Sequence, residues 1–318
     1  MSEPASRRVL VTGAAGFIGA NLVRALVAQG ASVHALVRPG GSVWRLSAIR
    51  ESLHLHETDV TSCHAVRAAV EAARPDVIYN LVRHGGSSPA TDRRVLLNVN
   101  LLGTLNLLEA TASLGYQRFV HVGSSLEYGR KSHPMREDDL LEPATDFAVT
   151  KAAATLMCQQ FARAHAKPIV VLRLFSVYGY WEAPSRIIPA ALLAVLANRP
   201  IPLTPPGYRR DPIFVDDVVE ACLLAAQAER VNGEILNVGS GRQWANEEIV
   251  ETIQRVAGRR VPVRVGEFPP RMNDTTHWVA DIGKAERLLG WAPRHSLEAG
   301  LQQTWDWLRS NRDLYDRD

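Results

Sequence analysis

Near the N-terminus a short apolar run, Val9-Leu10-Val11, ends in Thr12-Gly13-Ala14-Ala15-Gly16-Phe17-Ile18-Gly19. From Phe17 to Gln29 apolar residues then recur at helical spacing until Gly30. Strand, glycine turn and helix in this order leave few folds open. Glycines let the backbone approach a pyrophosphate, and the helix N-terminus offers free N–H groups and the positive end of its dipole. The spacing is Gly-x-x-Gly-x-x-Gly, not the Gly-x-Gly-x-x-Gly of ordinary dehydrogenases. Gly13, Gly16, Phe17, Ile18 and Gly19 are therefore candidate cofactor-binding residues.

The rest of the chain repeats the alternation. Val33–Val37, Asp76–Leu81, Phe119–Val122 and Ile169–Leu172 read as strands, and Val95–Leu114 and Asp146–His165 as helices between them. Repeated βα units with right-handed crossovers predict an α/β fold, a doubly wound parallel sheet. After about Phe175 the texture changes, with prolines at 184, 189, 200, 202, 205 and 206. We expect residues 1–175 to form the cofactor domain, with segments returning near 211–240, and 176–318 to be mainly a smaller substrate-binding subdomain.

Bulk composition excludes several functions. The chain has 36 Lys and Arg against 33 Asp and Glu, a net charge of +3, too small to argue for nucleic acid. Cys63, Cys158 and Cys222 are isolated, which suggests reduced thiols, and the last two sit in apolar helical patterns. The histidines show no metal spacing; His54 and His56 read as a solvent-facing pair on one strand. No apolar run reaches membrane-spanning length, and the first residues lack a signal-peptide core. A cytoplasmic protein with no metal and no membrane partner is expected.

The end of the second strand bears on the cofactor. An acid there would bind a ribose 2′-hydroxyl, and an Arg would suit a 2′-phosphate. The chain has Val37-Arg38 and no acid, which tips the expectation toward NADP over NAD. Asp59, after the third strand, is placed to accept from an adenine amine, and Val60 and Leu81 are further candidate cofactor contacts.

Several motifs together resemble the extended short-chain dehydrogenase/reductase family, the NAD-dependent epimerase/dehydratase group that modifies nucleotide sugars. They are the Thr12–Gly19 turn, Asn98-Val99-Asn100-Leu101-Leu102-Gly103-Thr104, Gly123-Ser124-Ser125-Leu126-Glu127-Tyr128-Gly129 and Arg210-Asp211-Pro212-Ile213-Phe214-Val215-Asp216-Asp217. Leu236-Asn237-Val238-Gly239, Ala280-Asp281 and Leu288-Leu289-Gly290-Trp291-Ala292-Pro293 complete the set. The resemblance implies a Rossmann-type fold, a nicotinamide cofactor, and a catalytic Ser, Tyr and Lys, the last two as Tyr-x-x-x-Lys. Ser124 takes the Ser role, Lys151 the Lys role, and Asn100 supports the site and its cofactor. The Tyr position is Phe147, and no other Lys has a Tyr four residues earlier. A Phe keeps the ring but carries no proton.

Three readings of Phe147 stand side by side: a change made by design to trap substrate, an enzyme that uses another group such as Tyr128 or Glu127, or a binding protein without chemistry. Family dehydratases place acids directly after the Ser, where this chain has Ser125 and Leu126, so dehydration is demoted. Glu127, read as strand, would face away. C4 epimerisation through a 4-keto sugar comes first and NADPH-dependent 4-keto-sugar reduction second. A nucleotide-diphosphate sugar is the expected partner. Arg186, Arg209 and Arg271 are candidates for its diphosphate, and Ser87, Ser88, Thr91, Ser125 and Ser176 for its sugar. His84 reads more safely as a satisfied loop residue. The helices at 95–114 and 146–165 resemble those that pair in family dimers, so a homodimer is expected.

Overall fold

A computed structural model describes residues 6–85, 92–268 and 274–315. Six strands follow the predicted alternation: β1 (Arg8–Thr12), β2 (Ser32–Val37), β3 (Leu53–Glu57), β4 (Val77–Asn80), β5 (Arg118–Ser124) and β6 (Ile169–Leu174). With β11 (Ile235–Val238) they form one seven-stranded sheet in the order β11-β6-β5-β4-β1-β2-β3, every pairing parallel. The doubly wound α/β architecture expected from the alternation is thus observed.

Side chains of a strand alternate between faces, so neighbouring residues of β1 enter different cores. Val9 and Val11 pack with Leu22 and Val23 of α1 (Phe17–Ala28) and with Val218 and Cys222 of α7 (Val215–Gln227). Leu10 packs on the other face with Val66 of α2 (Cys63–Ala73), Leu107 of α4 (Gly103–Thr111) and Cys158 of α5 (Asp146–Ala164). The short α3 (Arg93–Leu96) runs into α4 through a π-type stretch at Leu97–Leu102, so the helix predicted at 95–114 is one rod with a widened turn. All three cysteines are free, and Cys158 and Cys222 are buried as expected.

Beyond β6 the strands are short and paired. β7 (Ser176–Tyr178) lies beside β10 (Pro212–Phe214), β8 (Ile201–Leu203) beside β13 (Val263–Val265), and β9 (Arg209–Arg210) beside β12 (Trp244–Ala245). They frame α6 (Ile187–Leu196), α8 (Asn246–Val256), α9 (Gly283–Leu289) and α10 (Leu297–Ser310). A core of Tyr178, Leu192, Phe214, Ile249, Leu301 and Trp305 joins these pieces. Sequence patterning did not single out α6. Its Pro189 sits in the first turn, where no intrahelical N–H bond is lost, so it does not break the helix.

His54 and His56 do share a face of β3, as the alternation predicts, but they are not simply a solvated pair. His34 of β2 stacks on both rings, and its Nδ1 lies 2.9 Å from Nε2 of His56. Partial burial, then the neighbouring imidazoles, lower the pKa of His34 to about 4 and lower that of His56. No helix among the described residues is long and apolar enough to cross a membrane.

Candidate active site

The carboxyl ends of β1, β4, β5 and β6 open onto a cavity of about 290 Å³. Its floor is the glycine turn. Gly13 sits at φ +65°, a left-handed conformation, and a Cβ there would lie 2.7 Å from the carbonyl oxygen of Leu81. At Gly19 a Cβ would come within 2.2 Å of the Gly13 carbonyl oxygen. The turn therefore packs backbone against backbone and leaves no room for side chains. Thr12 stitches it to the end of β4 and the loop that follows: its hydroxyl donates to Asn80 Oδ1 at 2.7 Å and accepts from Val82 N at 3.2 Å. The start of α1 has no capping side chain and no acid in its first turn. Its N–H groups remain available to an anion, so these residues fit the pyrophosphate of a dinucleotide.

One wall comes from β5 and α5. Ser124 ends β5 and caps a 3₁₀ turn at Ser125–Tyr128, its Oγ accepting from Leu126 N at 3.2 Å. Lys151 is buried on α5 and donates from Nζ to the Val122 carbonyl at 2.6 Å. Burial lowers its pKa to about 8, against the pull of the nearby Glu127 carboxylate. Phe147, one helical turn earlier, faces the same cavity. Over its ring lies the guanidinium of Arg83, 5.5 Å from the centroid. Asn100, fully buried, accepts from His84 N at 2.8 Å and donates to the His84 carbonyl and to Thr150 Oγ1. It ties the loop that carries Arg83 and His84 to α5.

Of the residues singled out from sequence, the structure gathers Gly13, Gly16, Phe17, Ile18, Gly19, Leu81, Ser124, Ser125, Phe147, Lys151, Ser176 and Arg186 around this one cavity. Arg38 and Asp59 stand exposed beyond the ends of β2 and β3; Asp59 Oδ1 accepts from Thr61 N and Oγ1. The Val60 carbonyl accepts from Asn106. Ser87, Ser88, Thr91 and Arg271 lie outside the described residues.

Three expectations need correction. Arg209 lines neither this cavity nor the adjoining one of about 100 Å³; it pairs loosely with Glu248 at 3.6 Å, and its neighbour Arg210 lines both. Adjacent residues of a strand face opposite ways, so a contact carried over by one position lands on the wrong face. Tyr128 is no proton carrier: it is fully buried, and its hydroxyl donates to Asn237 Oδ1 at 2.7 Å. Glu127 is also unsuited, but not because a strand turns it away. The chain is 3₁₀ there, and its carboxylate folds back onto Ser124 N, Thr155 Oγ1 and Arg173 Nε.

Four residues that sequence motifs did not mark as site residues, Arg83, Glu182, Arg210 and Trp278, also line the cavity. Trp278 Nε1 donates to Ser125 Oγ at 3.3 Å, so that serine is already engaged. Asp211 and Asp217, from the recognised acidic motif, are structural. Asp211 gathers the backbone N–H groups of Ser240, Gly241 and Ala280, and Asp217 those of Arg294 and His295.

The profile of the NAD dependent epimerase/dehydratase family matches residues 9–239, which include the glycine turn and the wall bearing Ser124 and Lys151. The chain belongs to this family. It is 29% identical over 317 residues to a UDP-glucuronate 4-epimerase of Thermodesulfobacterium geofontis, covering 96% of this chain and 97% of that one. It is also 29% identical over 324 residues to a dTDP-glucose 4,6-dehydratase of Streptomyces niveus, covering 96% and 94%. The crystal structure of UDP-glucuronic acid 4-epimerase from Bacillus cereus, in complex with UDP-glucuronic acid and NAD, superposes with a TM-score of 0.85. That pair is 26% identical, over 95% of this chain and 99% of the other. Family membership thus spans epimerases and dehydratases alike.

Proposed function

We propose that this chain modifies a nucleotide-diphosphate sugar at C4, by epimerisation through a transient 4-keto sugar. The observation that carries the reading is the meeting of Ser124, Lys151 and the ring of Phe147 on one wall of a cavity floored by the glycine turn. The chemistry supplied by a bound nicotinamide is reversible hydride exchange at carbon. Gly13, Gly16 and Gly19 would hold its pyrophosphate, and the Lys151 ammonium would hold its ribose. The Ser124 hydroxyl would align the sugar oxygen, with Lys151 supplying positive charge nearby. Arg186 and Arg210, which line both cavities, are suited to the diphosphate. Ser125 and Leu126 offer no carboxylate after Ser124, which speaks against dehydration.

NADPH-dependent reduction of a 4-keto sugar is the second reading, favoured by one observation. Arg38 stands exposed beyond β2, and the end of that strand carries this Arg and no acid, which suits a 2′-phosphate. The B. cereus relative holds NAD.

Turnover decides the function. The protein and its Phe147→Tyr variant are supplied with NAD(H) or NADP(H) and a panel of UDP-, GDP-, CDP- and dTDP-sugars. Conversion of at least one sugar is expected, with the C4 epimer as product. If neither form converts any sugar while the cofactor binds, the hydride-transfer reading falls and the chain is a binding protein.

Val95, Leu97, Leu102, Val149 and Leu156 form exposed apolar positions on α3 to α5. A homodimer pairing these helices would bury them. Sedimentation at micromolar concentration is expected to give twice the chain mass; a monomer there would remove this assignment.

A further inference from the structure

Among the described residues one acid, Glu182, lines the cavity. Glu182 lies between β7 and α6 and is only 5% exposed. Trp181, just before it, sits at φ +66°, a strained conformation for a non-glycine residue. The strain is held from several sides. Arg45 donates from Nε to the Trp181 carbonyl at 2.8 Å, the Arg24 guanidinium lies 4.6 Å from the centre of the Trp181 ring, and Tyr315 donates to the Glu182 carbonyl at 3.0 Å. A backbone pinned in this way fixes where the carboxylate stands.

The two carboxylate oxygens differ. Oε1 lies 3.5 Å from Nε of Arg186, while Oε2 is buried and has no hydrogen-bond partner among the described residues. Leaving a buried acid oxygen unpaired is costly, so such an atom calls for a ligand or a chemical role. The other proton carriers that line or adjoin the cavity are spent or unsuitable. Tyr128 and Glu127 are locked away from the cavity, Phe147 has no hydroxyl, Lys151 donates to Val122, and the guanidinium groups of Arg83, Arg186 and Arg210 offer only donors.

Resting on the hydride-transfer reading above, we propose that Glu182 takes and returns the proton of the sugar hydroxyl in this chain, in the place of the phenol that Phe147 lacks. The O4–H bond breaks and its proton passes to the carboxylate, which becomes the neutral acid. The electron pair left on O4 forms the C=O bond as the C4 hydrogen departs, with its two electrons, as hydride to the nicotinamide cofactor. On the return the acid gives the proton back to O4. Arg83, Arg186, Tyr178 and Tyr315 are the titratable groups that face Glu182. Burial, opposed by Arg186 and Arg83, brings its carboxyl to a pKa of about 7, close to the value that serves proton transfer in both directions near neutrality.

The test compares the protein with Glu182→Gln, Phe147→Tyr and the double variant, each loaded with cofactor. Glu182→Gln is expected to lower turnover by about 10²–10⁴-fold and to leave cofactor affinity unchanged. Phe147→Tyr alone is expected to gain less than about tenfold, since a proton carrier is already present, yet to restore about 10² or more in the Glu182→Gln background. A second readout does not depend on turnover. Calorimetry of nucleotide-sugar binding near pH 7, in two buffers of different ionisation enthalpy, is expected to show proton exchange that Glu182→Gln removes. Native turnover in Glu182→Gln, a hundredfold gain from Phe147→Tyr alone, or proton exchange that survives the substitution each overturns the proposal. If no form converts any sugar, the hydride-transfer reading fails, and the calorimetric arm still judges whether Glu182 carries the proton.

Discussion

Replacing Lys151 by methionine is expected to lower turnover by about 10²–10³-fold, the usual loss when one charged or hydrogen-bonding stabiliser of a developing oxyanion is removed. The side chain is buried on α5, one turn beyond Phe147, and reaches the carbonyl at the end of β5 beside Ser124. On the proposed function its ammonium would act as a point charge near the sugar oxygen as negative charge develops there. Methionine has similar length and fills the same space, so packing is retained. The fold is expected to survive, because a buried cation is removed along with its bond to Val122. Thermal melting checks the fold and single-turnover kinetics check the chemistry. If Lys151→Met kept native turnover, Lys151 would be a structural residue and the wall described here would not be the reacting one.

The second large effect is on stability. Arg173 of β6 and Glu127 form an ion pair at 2.8 Å, with side-chain exposures of 1% and 0%. Glu127 also accepts from Ser124 N and Thr155 Oγ1, and Arg173 lies 4.6 Å from the centre of the Tyr128 ring. Arg173→Met leaves this carboxylate buried beside two neutral donors and is expected to cost about 3–5 kcal/mol, as breaking buried pairs does. Adding Glu127→Gln removes the stranded charge and is expected to recover most of the loss. Urea unfolding of the single and double variants measures both. A single variant as stable as the native protein would show that solvent or another cation reaches Glu127.

Much of this was readable from residue order alone. The glycine turn and the alternation of β1 with α1 depend on local spacing, and local spacing is what a sequence displays, whereas Ser124 and Lys151 came into view through the motifs that resemble the family. Glu182 and Arg83 were not readable. Neither sits in a periodic pattern or a glycine turn, and they enter the cavity because β7, α6 and the loop after β4 converge on it. Arg209 shows a subtler failure, since the motif was found and the side chain chosen was one position off the inward face. The reason for discarding Glu127 was wrong for a comparable cause. The end of β5 tightens into a 3₁₀ turn, and no residue there announces that change in period.

The last strand of the main sheet has a consequence for biosynthesis. β11 pairs with β6 from Ile235 to Val238, after a detour of some sixty residues through the second layer. A nascent chain that has emerged as far as Leu174 therefore carries β6 as a bare edge, rich in Ile, Val and Leu. Such an edge is open to pairing with another chain. Completion of the seven-stranded sheet must therefore wait for the segment between β6 and β11, so the main sheet and the short strand pairs beyond β6 mature together.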